Sequence, residues 1–114
     1  IMGACDFSSL EVGRFKRPGD AFNEAQNEAE YEYGHDSYNG SISTCDDFDI
    51  RKDNPRFGTA SFDKWENKVM SNLDKRECIC VEITGAVLKR MKERRGYKGK
   101  KGIRAFYFFG LAAC

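Results

Sequence analysis

The sequence predicts an α+β domain with the element order βαβαββ. Three observations carry this reading. Apolar residues recur at spacings of three and four in two separate segments, around Phe22–Tyr33 and Phe62–Leu73. They alternate with a period of two near Glu77–Leu88, and they crowd a terminal aromatic run at Ile103–Ala113. Two helices with one apolar stripe each must cover a sheet, so the expected architecture is two-layered. It would be a four-stranded antiparallel or mixed sheet with both helices on one face. The 114 residues suit a single domain spanning 1–114.

Taken in order, residues 3–16 carry Phe7, Leu10, Val12 and Phe15 and read as a first strand, bulged at Ser8-Ser9 where the alternation slips. Pro18-Gly19 ends it, and Asp20 stands as the N-cap of a helix that Gly34 stops. Tyr38 to Thr44 is a turn that leads into a β-rich run ending near Ile50. A loop around Asn54-Pro55 follows, then a second helix capped by Thr59 or Ser61, with Phe62, Trp65, Val69 and Leu73 along one face. The last two strands would pair as a hairpin, its long basic tip formed by Lys89 to Lys101. The final strand, apolar on both faces, would be central or covered by a partner, which makes a homodimer plausible on aggregation grounds.

Hydrophobic residues make up 40% and charged residues 32% of the chain, ordinary for a globular protein and too apolar for disorder. The longest apolar run, Ala105 to Cys114, is about half of a membrane span, and no segment reads as a signal peptide, so a cytoplasmic protein is expected. Met2 reads as the natural start behind an extra Ile1. The five cysteines (Cys5, Cys45, Cys78, Cys80, Cys114) form an odd, scattered set, read as packed free thiols in a reducing compartment. With His35 as the sole histidine, no metal site and no cofactor are expected.

The formal net charge of +1 conceals a bipolar chain. Residues 20–53 hold ten acids against Arg51 and Lys52, a balance of −8, while residues 84–104 hold nine bases against Glu93, a balance of +8. Such polarity bears on partners and steering and not on fold. Lys89, Arg90, Lys92, Arg94, Arg95, Lys98, Lys100, Lys101 and Arg104 offer the charge density of a phosphate-binding surface, and Tyr97 among them could stack on a base. An acidic protein would suit the same surface equally. The acids Glu24, Glu28 and Glu32 form a row on the first helix, read as a solvated face or a phosphate mimic.

The stretch around His35, Tyr38, Asn39, Gly40, Ser41 and Thr44 has the glycines and hydroxyls of a small-ligand loop. It follows a helix C-terminus, where the dipole disfavours anions, and it lacks a P-loop lysine. His35-Asp36 are sequence neighbours, a poor geometry for a catalytic triad, and no nucleophile elbow flanks them, so no catalytic residue is assigned.

Met2-Gly3-Ala4, Phe7, Ala21-Phe22 with Ala25 and Ala29, Tyr31-Glu32-Tyr33-Gly34-His35 and Tyr38-Asn39-Gly40-Ser41-Ile42 together resemble small proteins of bacteriophage and mobile-element genomes. The resemblance covers about the first 45 residues and implies context: an accessory protein that inhibits a host defence or nucleic-acid-handling complex. The expected function is therefore non-enzymatic binding of a host protein or nucleoprotein complex through the basic hairpin and the aromatic strand. Direct binding of RNA or single-stranded DNA is the first alternative, and sequestration of a small signalling nucleotide at Tyr38–Thr44 the second.

Overall fold

A computed structural model describes residues 3–114; the reading of Met2 as the start lies outside them. The chain forms β1 (Ala4–Gly13), α1 (Pro18–Tyr33), a 3-10 turn (Ile42–Thr44), β2 (Asp49–Ile50), α2 (Ala60–Met70), β3 (Cys78–Ile83), α3 (Gly85–Arg94) and β4 (Arg104–Ala113). The four strands make one open mixed sheet in the order β1-β4-β3-β2, so the class is α+β. β4 pairs antiparallel with β1 and β3, and the two-residue β2 runs parallel to β3.

The aromatic strand β4 is interior, as its doubly apolar sequence predicts. Its alternating side chains divide the core in two. Phe106 and Phe108 pack with Cys78 and Cys80 beneath Ala21, Phe22, Ala25 and Ala29 of α1. Phe109 and Tyr107 pack with Ile79 and Val81 beneath Phe62 and Val69 of α2. Because neighbouring strand residues point to opposite faces, α1 and α2 lie on opposite sides of the sheet. The expectation of both helices on one face is thus corrected. The period-two stretch in β3 and the doubly apolar β4 each supply two buried faces, and each face takes its own helix. That also removes the reason for expecting a second copy over the aromatic strand.

Local chemistry sets the element boundaries. β1 runs in unbroken register from Ala4 opposite Ala113 to Gly13 opposite Arg104, so the expected bulge at Ser8-Ser9 is absent. These serines instead tolerate both environments, Ser8 lying opposite Phe109 and Ser9 opposite Phe108. Helix α1 begins two residues before the predicted cap. Pro18 takes the first helical position, and the Asp20 carboxylate accepts a hydrogen bond from the Arg17 amide at 3.2 Å, the return half of a capping box. Gly34, with φ 90°, ends α1 as expected. The Thr59 hydroxyl caps α2, accepting from the Phe62 amide at 3.2 Å.

The β-rich run expected to reach Ile50 shrinks to Asp49–Ile50, because Ser41 to Cys45 fold into a turn whose hydroxyls satisfy the backbone locally. The alternation expected over Glu77–Leu88 ends at Ile83. There Gly85, at φ 69°, turns the chain out of the sheet, and Val87, Leu88 and Met91 return at helical spacing. The first part of the basic tip, to Arg94, is therefore a helix, and the rest to Lys101 is a turn.

Gly110 is required where β3 enters the sheet: a Cβ there would collide with the Glu77 carbonyl and crowd the Cys78 Cα. The cysteine reading holds for Cys45, Cys78 and Cys80, which are free and buried. It is corrected for Cys5 and Cys114, which form a disulfide across β1 and the end of β4 with Cα atoms 6.0 Å apart. Antiparallel pairing of the two ends of the chain brings together cysteines 109 residues apart, a proximity that spacing alone does not reveal. In the chain-entropy account a loop of that length stabilises by about 4–5 kcal/mol.

Candidate nucleic-acid interface

Helix α3 forms because Ala86 to Arg94 are strong helix formers without a β-branched run or proline. Lys92 and Arg94 in its last turn favour the negative end of the dipole. None of its residues is fully buried, whereas α1 buries four and α2 buries two. Val87, Leu88 and Met91 are half-buried on one side, while Lys89, Arg90 and Arg94 are exposed around the rest. A turn continues the basic surface, with the Tyr97 amide donating to the Lys92 carbonyl at 2.7 Å and the Lys100 amide to the Tyr97 carbonyl at 3.0 Å.

The ion pairs among the described residues join Arg17 to Asp20, His35 to Glu30, Arg51 to Asp53 and Arg104 to Glu82. Lys89, Arg90, Lys92, Arg94, Arg95, Lys98, Lys100 and Lys101 enter none of them. All but Lys92 are exposed, and Tyr97 is half-buried beside them. Arg104 stands apart from this group. Its guanidinium donates to both Glu82 oxygens at 2.9 and 3.0 Å and to the Lys16 carbonyl at 2.7 Å, and it lies 5.0 Å from the centre of the Phe106 ring. Sequence reasoning grouped it with the surface, whereas the strand position makes it a brace between β3, β4 and the connection from β1 to α1. The aromatic strand leaves the candidate surface as well, since Phe106, Phe108 and Phe109 are fully buried.

The stretch His35–Thr44 is held by its own polar groups. The Asn39 amide nitrogen donates to the Gly34 carbonyl and the Ser43 hydroxyl, and its oxygen accepts from the Ser41 amide and hydroxyl. Thr44 Oγ1 donates to the Ser41 carbonyl and accepts from the Ala113 amide, and Gly40 donates to the Ala113 carbonyl. Arg76 clamps the stretch from outside. It donates to the Thr44 and Ser37 carbonyls and stacks 5.3 Å from the centre of Tyr38. Its own backbone sits at φ 73°, rare for a residue with a side chain. The hydroxyls that suggested a ligand loop thus join α1 to the end of β4. His35 pairs with Glu30 at 3.0 Å, while Asp36 accepts from the Tyr38 amide, so the two neighbours do not form a dyad.

One further group escaped the sequence reading. Glu11 is buried on the α1 face of β1, opposite Phe106, with Ser9 donating to it at 3.2 Å. Burial, together with Glu28 and Glu24 of the helix above, pushes its carboxyl up to about 7. The register that turns Glu11 inward is not visible in β1 alone. Burial also pushes the Cys80 thiol up to about 12, and Cys78 is raised through its hydrogen bond with Cys45 and by burial, so both stay protonated at neutral pH.

No helix is long and apolar enough to cross a membrane, and no group of three or more His, Cys, Asp or Glu residues is arranged to hold a metal ion among the described residues. No family model, curated protein or solved structure matches the chain.

Proposed function

We propose that the protein is a non-enzymatic binder that takes hold of a host nucleic acid, RNA or single-stranded DNA, through α3 and the loop to Lys101. One observation carries this reading: eight bases on a segment with no fully buried residue form no ion pair among the described residues. A helix retained for stability buries a stripe, as α1 and α2 do. An unpaired basic helix gains its favourable electrostatics from a polyanion, through release of counterions from the phosphates. Tyr97, at the turn after the helix, suits stacking on an unpaired base. A role in inhibiting a host defence or nucleic-acid-handling complex is compatible with such a binder and rests on the phage resemblance alone.

The test is fluorescence anisotropy with a mixed-sequence single-stranded oligonucleotide at low salt. Replacing Arg94, Arg95, Lys98 and Lys100 together by Glu should weaken binding by at least roughly a hundredfold, with the far-ultraviolet circular dichroism retained. Unchanged affinity in the folded variant would remove the assignment.

A further inference from the structure

A separate cavity of about 600 Å3 opens at the carboxyl ends of the parallel strands β2 and β3. Its volume falls within the roughly 300–1,000 Å3 of small-molecule sites. Its position has a simple cause. β2 stops after Ile50; the Arg51 amide still donates to the Cys80 carbonyl of β3 at 2.9 Å, and from Lys52 to Phe57 the chain does not continue the sheet. The start of α3, from Thr84 to Val87, turns away on the other side.

The walls are of two kinds. Ile50, Pro55, Phe57, Val87 and Phe106 provide an apolar lining, and Ile50 remains 47% exposed although it is a large aliphatic residue. Arg51, Lys52, Arg56 and Arg104 bring four cations to the same space, against the single lining acid Glu82. Two of the four are already neutralised. Arg104 holds Glu82, and Arg51 holds Asp53 through two hydrogen bonds at 2.9 and 2.7 Å. Lys52 and Arg56 enter no ion pair among the described residues. The cavity therefore combines apolar and polar walls with an unneutralised charge of two, which suits an anion with an apolar body.

We propose that this cavity binds a nucleoside phosphate, its base against Ile50, Pro55 and Val87 and its phosphate between Lys52 and Arg56. The same chemistry has two sources, a free nucleotide or the phosphorylated end of a strand held by α3. Only the second source rests on the proposed function, and the first stands whether or not α3 binds nucleic acid.

Arg51 supplies a reporter. Its guanidinium lies 5.6 Å from the ring centre of Trp65, the sole tryptophan, so occupancy beside it is expected to change the emission. The experiment titrates the intact protein with the four nucleoside 5′-monophosphates, with adenosine and with inorganic phosphate. Calorimetry and Trp65 emission are followed together. A parallel titration compares 5′-phosphorylated with 5′-hydroxyl oligonucleotides.

The paired variant Lys52→Gln with Arg56→Gln changes an exposed loop and should leave the fold intact, checked by thermal unfolding. The expected result is monophosphate binding that is tighter than that of adenosine or phosphate, and weakened at least tenfold in the paired variant. If only the strand-end source operates, the 5′-phosphate should strengthen oligonucleotide binding in the native protein and not in the variant. The variant in which α3 carries four glutamates separates the two readings, since it should lose the oligonucleotide and keep the monophosphate. The proposal is overturned if neither probe distinguishes native protein from the paired variant, or if inorganic phosphate binds as tightly as the nucleotides.

Discussion

Helices α1 and α3 both carry dense charge on an amphipathic frame, yet they relate to the sheet in opposite ways. α1 lays Ala21, Phe22, Ala25 and Ala29 against Phe106 and Phe108, and the small residues let its backbone approach the strands closely. Its acids are side effects of having a solvated face, and one of them, Glu28, stands close enough to the sheet to act on the buried Glu11. α3 buries no residue fully, only half-burying Val87, Leu88 and Met91, and its bases enter no ion pair among the described residues. The same sequence pattern thus serves packing in one helix and leaves a surface free in the other. Charge density alone does not mark a binding surface; the proposed surface is distinguished by lying on a helix with no fully buried residue.

The largest expected effect breaks this comparison on its stability side. Phe22→Ala should destabilise by about 3–5 kcal/mol through a cavity between α1 and the Phe108 ring, whose centre lies 5.8 Å away. Met91→Ala on half-buried α3 should cost no more than about 1 kcal/mol. Urea denaturation of the two variants measures both, and comparable losses would mean that α3 is part of the packed fold.

A smaller effect sharpens the comparison on its electrostatic side. The Glu11 carboxyl titrates at about 7 in the folded chain against an ordinary 4.5. The folded state therefore binds the proton more tightly than the unfolded state does. Its contribution is fully present below pH 4.5 and is lost as pH rises through 7, up to about 3 kcal/mol in all. Glu11→Gln should flatten the fall in stability between pH 5 and pH 8, measured by urea midpoints across that range. An unaltered pH profile would show that burial and the α1 acids do not hold Glu11 protonated.

Much of the architecture is legible in the sequence because single elements carry their own signals. The stripe from Phe22 to Ala29, the Gly34 stop, the Thr59 cap and the doubly apolar β4 each follow from local chemistry. What is not legible depends on partners distant along the chain. The face each helix covers is decided by two apolar faces on β3 and β4, and the pairing of Cys5 with Cys114 by the antiparallel register of β1. The inward turn of Glu11 follows from the same register. α3 is a different case, since the helical spacing of Val87, Leu88 and Met91 was present in the sequence but overlain by the alternation running in from Ile79. At the candidate surface, the basic residues from Lys89 to Lys101 were identifiable from charge alone. Arg104 was not separable from them, and the hydroxyls of Ser41–Thr44 left a ligand loop open beside a structural turn, because a side chain's hydrogen-bond partners do not show in its type.

The most direct test of the central claim is the salt dependence of binding to a mixed-sequence single strand, from about 50 to 300 mM monovalent salt. If four to eight of the unpaired bases meet phosphates, the logarithm of affinity should fall against the logarithm of salt with a slope between about −3 and −6. Binding that is absent, or whose slope is near zero, would contradict the account.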